Sequence, residues 1–197
     1  MKTALPAGFS FAAEAVAIGA SAGGIDALFT LLENLPPLQA PIVIVLHLAE
    51  GHESRLVEVF GARLKLPVQE AQARAPVTAG NVYFAPPGYH LLVEADRTFS
   101  LSCDPPVLFS RPSIDVLLES CAEAYGARLL GMVLTGANED GARGLAHVHA
   151  CGGLTAVQDP DDALHSAMPL AAIAAADPDY VLPLADLRSL LHTVVRR

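Results

Sequence analysis

Apolar residues in this chain fall into short runs, separated by longer stretches in which they recur at helical spacing. "EAVAIGA" reads as a strand and residues 25–35 as a helix behind it. "PIVIVLHL" is the next strand, with a helix expected over 53–64. "LPVQEA" and "NVYFAPP" are short strands, and "YHLLVEADRTFSLSC" has two extended arms around Ala95, Asp96 and Arg97, the pattern of a hairpin. "RPSIDVLLESCAEAYG" is a helix expected to carry Pro112 in its first turn and to stop at Gly126. Thereafter "RLLGMVLTG", "GLTAVQD" and "DYVLP" are strands. They alternate with helices in "DGARGLAHVHACG", "MPLAAIAAA" and "LADLRSLLHTVV".

Strands that are apolar throughout, linked by helices, belong to a sheet covered on both faces. The expected fold is α/β: three layers, doubly wound, a mainly parallel sheet with an inserted β-hairpin. One domain is expected over 1–197, with residues 1–14 as an extension before the first strand.

Composition narrows the partners. The chain is 52% hydrophobic and 17% charged, with net charge -9. No Lys/Arg run is present, which argues against nucleic acid. No apolar run reaches the roughly 18 residues of a membrane span, so no direct membrane insertion is expected. Cys103, Cys121 and Cys151 are read as scattered, without metal-ligand spacing, and as ordinary buried thiols of a reducing compartment. A cytoplasmic protein is the expectation.

In a doubly wound sheet, ligands bind beyond the carboxyl ends of the strands. Ser21, His47 and Asp140 follow such ends. A serine hydroxyl becomes a useful nucleophile once a base takes its proton, imidazole suits that task, and a carboxylate orients the imidazole. Small residues Ala20, Ala22, Gly23 and Gly24 leave the hydroxyl accessible, and the positive end of the following helix points the same way. The same residues also fit plainer roles: Ser21 and Asp140 as N-caps, His47 as a hydrogen-bonded strand end. His52 is a rival base. His147 and His149, two apart, do not share a helix face. Asp159, Asp161 and Asp162 read as a solvated acidic loop, and Asp26 as a first-turn acid.

The turn "GASAGG" approximates a dinucleotide fingerprint, but Ser21 stands where the second glycine is needed, and no acid ends the second strand. "GASAG" also fits the G-x-S-x-G elbow of lipases literally, yet those enzymes run serine, acid, histidine, whereas the order here is Ser21, His47, Asp140.

That order, with its local strings, resembles the catalytic domain of the bacterial chemotaxis receptor methylesterases, the protein-glutamate methylesterase family. "AIGASAGGIDAL", "PIVIVLHL", "GNVYFAPPGYHLLV", "SRPSIDVLLES", "VLTGANEDGARGL" and "LTAVQDPDDALHSAMPLAAI" match its blocks in order. The resemblance implies Ser21 as nucleophile, His47 as base and Asp140 as orienting carboxylate, with the backbone of Ala22 and Ala137 holding the oxyanion. It implies hydrolysis of glutamate γ-methyl esters on the cytoplasmic helices of methylated chemoreceptors, with methanol released, and deamidation of certain receptor glutamines, with no metal or organic cofactor. Another ester or amide substrate, or a weakly catalytic binding module, are the alternatives.

The chain departs from the family pattern at several positions. Ala22 replaces a threonine, and "TGANEDG" replaces "TGMGxDG", so Ala137 and Asn138 stand for Met and Gly. Asn138 is expected to keep a left-handed turn there. "HLAEGH" replaces "HMPPGF", and Ala167 replaces the glycine of "GMP". A basic rim from Arg55, Arg111 or Arg143 is a further expectation for an acidic receptor helix. No phospho-receiver domain lies within these residues, so turnover without a phosphodonor is expected.

Overall fold

The computed structural model describes residues 2–48 and 55–195. Seven strands form one parallel sheet: β1 (Ala15–Ala20), β2 (Ile42–Leu46), β3 (Val68–Glu70), β4 (Val82–Phe84), β7 (Leu129–Val133), β8 (Leu154–Gln158) and β9 (Tyr180–Leu182). Their order is β3-β4-β2-β1-β7-β8-β9. Strands β5 (His90–Val93) and β6 (Phe99–Ser102) make a separate antiparallel hairpin, as the two arms of its segment predict. Arg97 takes a positive φ of 64° in its turn, and its N–H closes the turn on the Glu94 carbonyl at 2.8 Å.

Alternation along the central strands sorts side chains between two cores. Val16, Ile18 and Ala20 of β1, with Ile42, Ile44 and Leu46 of β2, face α1 (Gly24–Leu32) and α6 (Leu184–Val194). Phe60 of α2 (Leu56–Gly61) joins that core and stacks on Phe29, ring centroids 4.2 Å apart. Ala15, Ala17, Val43 and Val45 face the other way, toward α3 (Ile114–Tyr125), α4 (Ala142–Ala150), α5 (Ala167–Ala176) and the hairpin. Both faces of the sheet are therefore dry, which is why its strands read as unbroken apolar runs.

The chain winds outward from β1 through β2, then crosses back to β7 on the other side of β1. The point of reversal lies between β1 and β7, where doubly wound folds open a crevice at their carboxyl edge.

Several helix ends differ from expectation. Within the described part, the segment expected as a helix over 53–64 is helical only over Leu56–Gly61. Pro112 is not in the first turn of α3: it precedes the N-cap Ser113 and follows a cis peptide bond from Arg111. Gly126 does stop that helix. No helix among the described residues is long and apolar enough to cross a membrane.

Candidate active site

Strands β1 and β2 pair in parallel up to Ala20 and Leu46, so the next residues, Ser21 and His47, leave neighbouring strand ends together. The His47 N–H donates to the Ala20 carbonyl at 3.0 Å, carrying the pairing one step further. The turn after β1 is anchored from β7: the Ser21 N–H donates to the Thr135 carbonyl at 3.0 Å, and Thr135 Oγ1 donates to the Ala22 carbonyl at 2.9 Å. Gly23 has a φ of 78°, a backbone that side chains rarely adopt, and it is the N-cap of α1. Ser21 is therefore not the cap. Among the described residues its hydroxyl has no hydrogen-bond partner.

Asp140 is completely buried, and His47 Nε2 lies 2.9 Å from its Oδ2. Three further donors surround the carboxylate. The Ser113 hydroxyl reaches Oδ1 at 2.8 Å, the Ile114 N–H reaches Oδ2 at 2.7 Å, and the Asp115 N–H reaches Oδ1 at 3.0 Å. Asp140 thus caps α3, not the helix it precedes, whose N-cap is Gly141. Burial pushes its carboxyl up. The hydrogen bonds from His47, from the Asp115 and Ile114 amides and from Ser113 more than offset this and hold it below the usual aspartate value. An ionised carboxylate only accepts, so the proton in the His47 link sits on Nε2. Among the described residues no hydrogen bond occupies Nδ1, and the His47 side chain is 11% exposed.

A reciprocal bond runs the other way. Asp115, in the first turn of α3, accepts the N–H of Gly141 at 2.9 Å and of Gly144 at 2.7 Å, so it caps α4. Each helix lends its neighbour a carboxylate. Burial raises the Asp115 carboxyl above its usual value. The Gly144 amide opposes that, the nearby Asp140 charge adds to it, and Arg143 and the Gly141 amide oppose it. Close approach makes the exchange feasible: a Cβ on Gly19 would stand 2.1 Å from Ile114 Cγ2, so only glycine lets the start of α3 seat on β1.

Ala22 and Ala137 flank this site, one in the turn after β1 and the other in the loop after β7. Among the described residues, no hydrogen bond occupies the backbone N–H of either. Asn138 does not take the left-handed backbone expected of it. Its side chain holds the loop instead, Oδ1 accepting the Asp140 N–H at 3.2 Å.

Other expectations are corrected. Asp162 is more than a solvated acid: its Oδ2 accepts from Gln158 Nε2 and from the Leu184 N–H, both at 2.9 Å, and Gln158 Oε1 accepts the Thr135 N–H at 2.9 Å. Of the three arginines expected at the rim, two are paired with acids, while Arg111 keeps its charge. Arg55 pairs with Glu58, Arg143 with Glu119, and Arg111 donates to the carbonyls of Cys103 and Asp104. Only Cys121 among the cysteines is buried, and burial pushes its thiol up to about 12. Cys151 does share a helix face with a ligand-type residue, four positions after His147. Asp26 sits in the first turn of α1 as expected. His52 lies outside the described residues.

Ser113, Asp115 and Thr135 escaped the reading from sequence. The first two carried a signal, a serine then an acid opening an apolar helix, but nothing in it says that the caps are exchanged.

A model of the CheB methylesterase family matches residues 16–191. The chain belongs to the CheB methylesterase family. A Leptospira interrogans protein, provisionally named protein-glutamate methylesterase/protein-glutamine glutaminase, is 46% identical over 178 residues, covering 90% of this chain and 92% of that one. A Hahella chejuensis protein-glutamate methylesterase/protein-glutamine glutaminase is 41% identical over 172 residues, or 86% of this chain, which spans 48% of that longer relative. The CheB methylesterase catalytic domain of Thermotoga maritima superposes with a TM-score of 0.88 at 32% identity, covering 93% of this chain and all of that one. The α/β fold with its hairpin is thus the fold of this methylesterase family.

Proposed function

We propose that this CheB-family chain is a serine hydrolase. It removes methyl groups from glutamate γ-methyl esters on the cytoplasmic helices of chemoreceptors, and it deamidates receptor glutamines by the same chemistry. The observation that carries the reading is the His47–Asp140 link at 2.9 Å, with Ser21 on the adjoining strand end. The names of the relatives support the substrate class.

The His47–Asp140 link supports one order of proton movements. His47 holds its Nε2 proton against Asp140, so Nδ1 is the atom that draws the proton from Ser21 as the hydroxyl attacks the ester carbonyl. That step brings Ser21 and His47 into a hydrogen bond, a contact that commonly tightens only with substrate in place. Positive charge on the imidazolium is then balanced by Asp140, whose caps keep it ionised. The vacant N–H groups of Ala22 and Ala137 receive the developing oxyanion, each donor being worth about 3 kcal/mol of barrier. Imidazolium Nδ1–H protonates the departing methanol. Water then enters in methanol's place and gives a proton to Nδ1 as it attacks the acyl carbonyl; Nδ1–H returns that proton to Ser21 Oγ as the acyl–Oγ bond breaks, freeing the glutamate and restoring the hydroxyl.

Methanol release from a methylated receptor segment tests this. The chain is expected to produce methanol, and Ser21→Ala to lose on the order of 10⁶-fold in rate, the scale for removal of a serine nucleophile. Equal release by both proteins, or none by the parent, counts against the proposal.

A further inference from the structure

The seam between α3 and α4 has a step of four residues. Asp115, Glu119 and Glu123 stand on α3, Arg143 and His147 on α4, and Cys151 follows one step later at the C-cap. The first rungs are ordinary polar packing: Asp115 takes two amides of α4, and Glu119 lies 2.7 Å from Arg143 Nε. At the third rung the chemistry changes. His147 Nε2 lies 2.6 Å from Glu123 Oε1 and 3.7 Å from Cys151 Sγ. The three ligand atoms fall within 4.8 Å of one another. A guanidinium cannot ligate a metal, whereas imidazole, thiolate and carboxylate all do.

We propose that Glu123, His147 and Cys151 bind a thiophilic divalent cation, with Zn²⁺ as the best match. Tetrahedral zinc spaces a thiolate sulfur and an imidazole nitrogen about 3.6 Å apart, close to the observed separation. The carboxylate must retreat to about 3.3 Å from the nitrogen, and Glu123, with its side chain 72% exposed, is free to do so. Two helix ends reinforce the site. Glu123 is in the last turn of α3 and Cys151 caps α4, so both partially negative helix termini favour a cation there. Binding releases the thiol proton and leaves the fourth position to water. A loaded site would brace the same helix pair whose opposite ends exchange Asp115 and Asp140. It is separate from Ser21 and does not depend on the hydrolase reading.

The test uses the chain stripped of metal and kept reduced by a non-thiol reductant. Co²⁺ is expected to bind at one equivalent and give a thiolate-to-cobalt absorption band, which ligation by His47 alone cannot produce. Cys151→Ser should abolish the band, and Cys103→Ser should keep it. By calorimetry, Zn²⁺ affinity should fall more than about 100-fold in Cys151→Ser and in His147→Gln, beyond the loss of a supporting contact. The exposed Glu123→Gln, which does not threaten folding, should weaken binding about 10-fold. No band with the parent, a band surviving Cys151→Ser, or Zn²⁺ affinity unmoved by these substitutions would each overturn the site.

Discussion

Asp140 has no solvent contact and still holds its proton loosely, because four donors converge on two oxygens. Two of those donors are fixed by the start of α3 and one is the Ser113 hydroxyl. Removing that hydroxyl raises the Asp140 pKa, since hydrogen bonds to the charged form are what lower it. A carboxyl with a depressed native pKa stabilises the fold above its unfolded value, and that stability is lost as pH falls through the native pKa. Ser113→Ala should therefore move the acid limb of the activity profile to higher pH and cost about 1 kcal/mol of stability as a lost helix cap. A profile of kcat/KM against pH that overlays the parent's would refute the role given to Ser113. That Ser21, His47 and Asp140 gather at neighbouring strand ends was legible from residue type and place. Ser113 was not, because its partner lies 27 residues away and nothing local marks the pairing.

At the scale of elements, α3 and α4 are fastened by exchanged carboxylates, and α3 is seated by Gly19. Gly19→Ala forces Ile114 aside and should cost roughly 1–3 kcal/mol of overpacking, with a larger proportional loss of activity as the Asp140 cradle shifts. Ile114→Ala in the same chain removes the clash and should restore part of the activity lost by Gly19→Ala, measured against Ile114→Ala alone. Asp115 obeys the opposite pH rule from Asp140. Its native pKa is raised, so the native state binds extra proton above the unfolded value of about 3.9, and stability falls as pH rises through that window. Asp115→Asn has no such charge, so its stability relative to the parent should improve with rising pH in urea titrations. A gap independent of pH would refute this. Strands were readable here because burial on both faces leaves unbroken apolar runs. Helix starts were less so, since α3 takes its cap from beyond β7 and Pro112 ends up outside the helix it was expected to open.

Across the whole molecule, the strand order places β1 between β2 and β7, so three segments distant in sequence meet at one edge. The order of blocks in the sequence was enough to anticipate that meeting, while the unpaired Ser21 hydroxyl was not anticipated. The described residues form a complete seven-stranded sheet with both faces covered. The proposed chemistry of Ser21, His47 and Asp140 uses no phosphoryl group, so methanol release by these residues is expected at a steady rate with no phosphodonor added, and a rate that rises only on adding one would contradict this. The traded carboxylates also set a timetable. Ser21 and His47 are synthesised early, but the histidine has no counter-charge, and the counter-charge no cradle, until the chain has been made through residue 144 and both helices have docked. Chemical competence is then a late event in biogenesis, and a nascent or prematurely terminated polypeptide carries the proposed nucleophile without the means to switch it on.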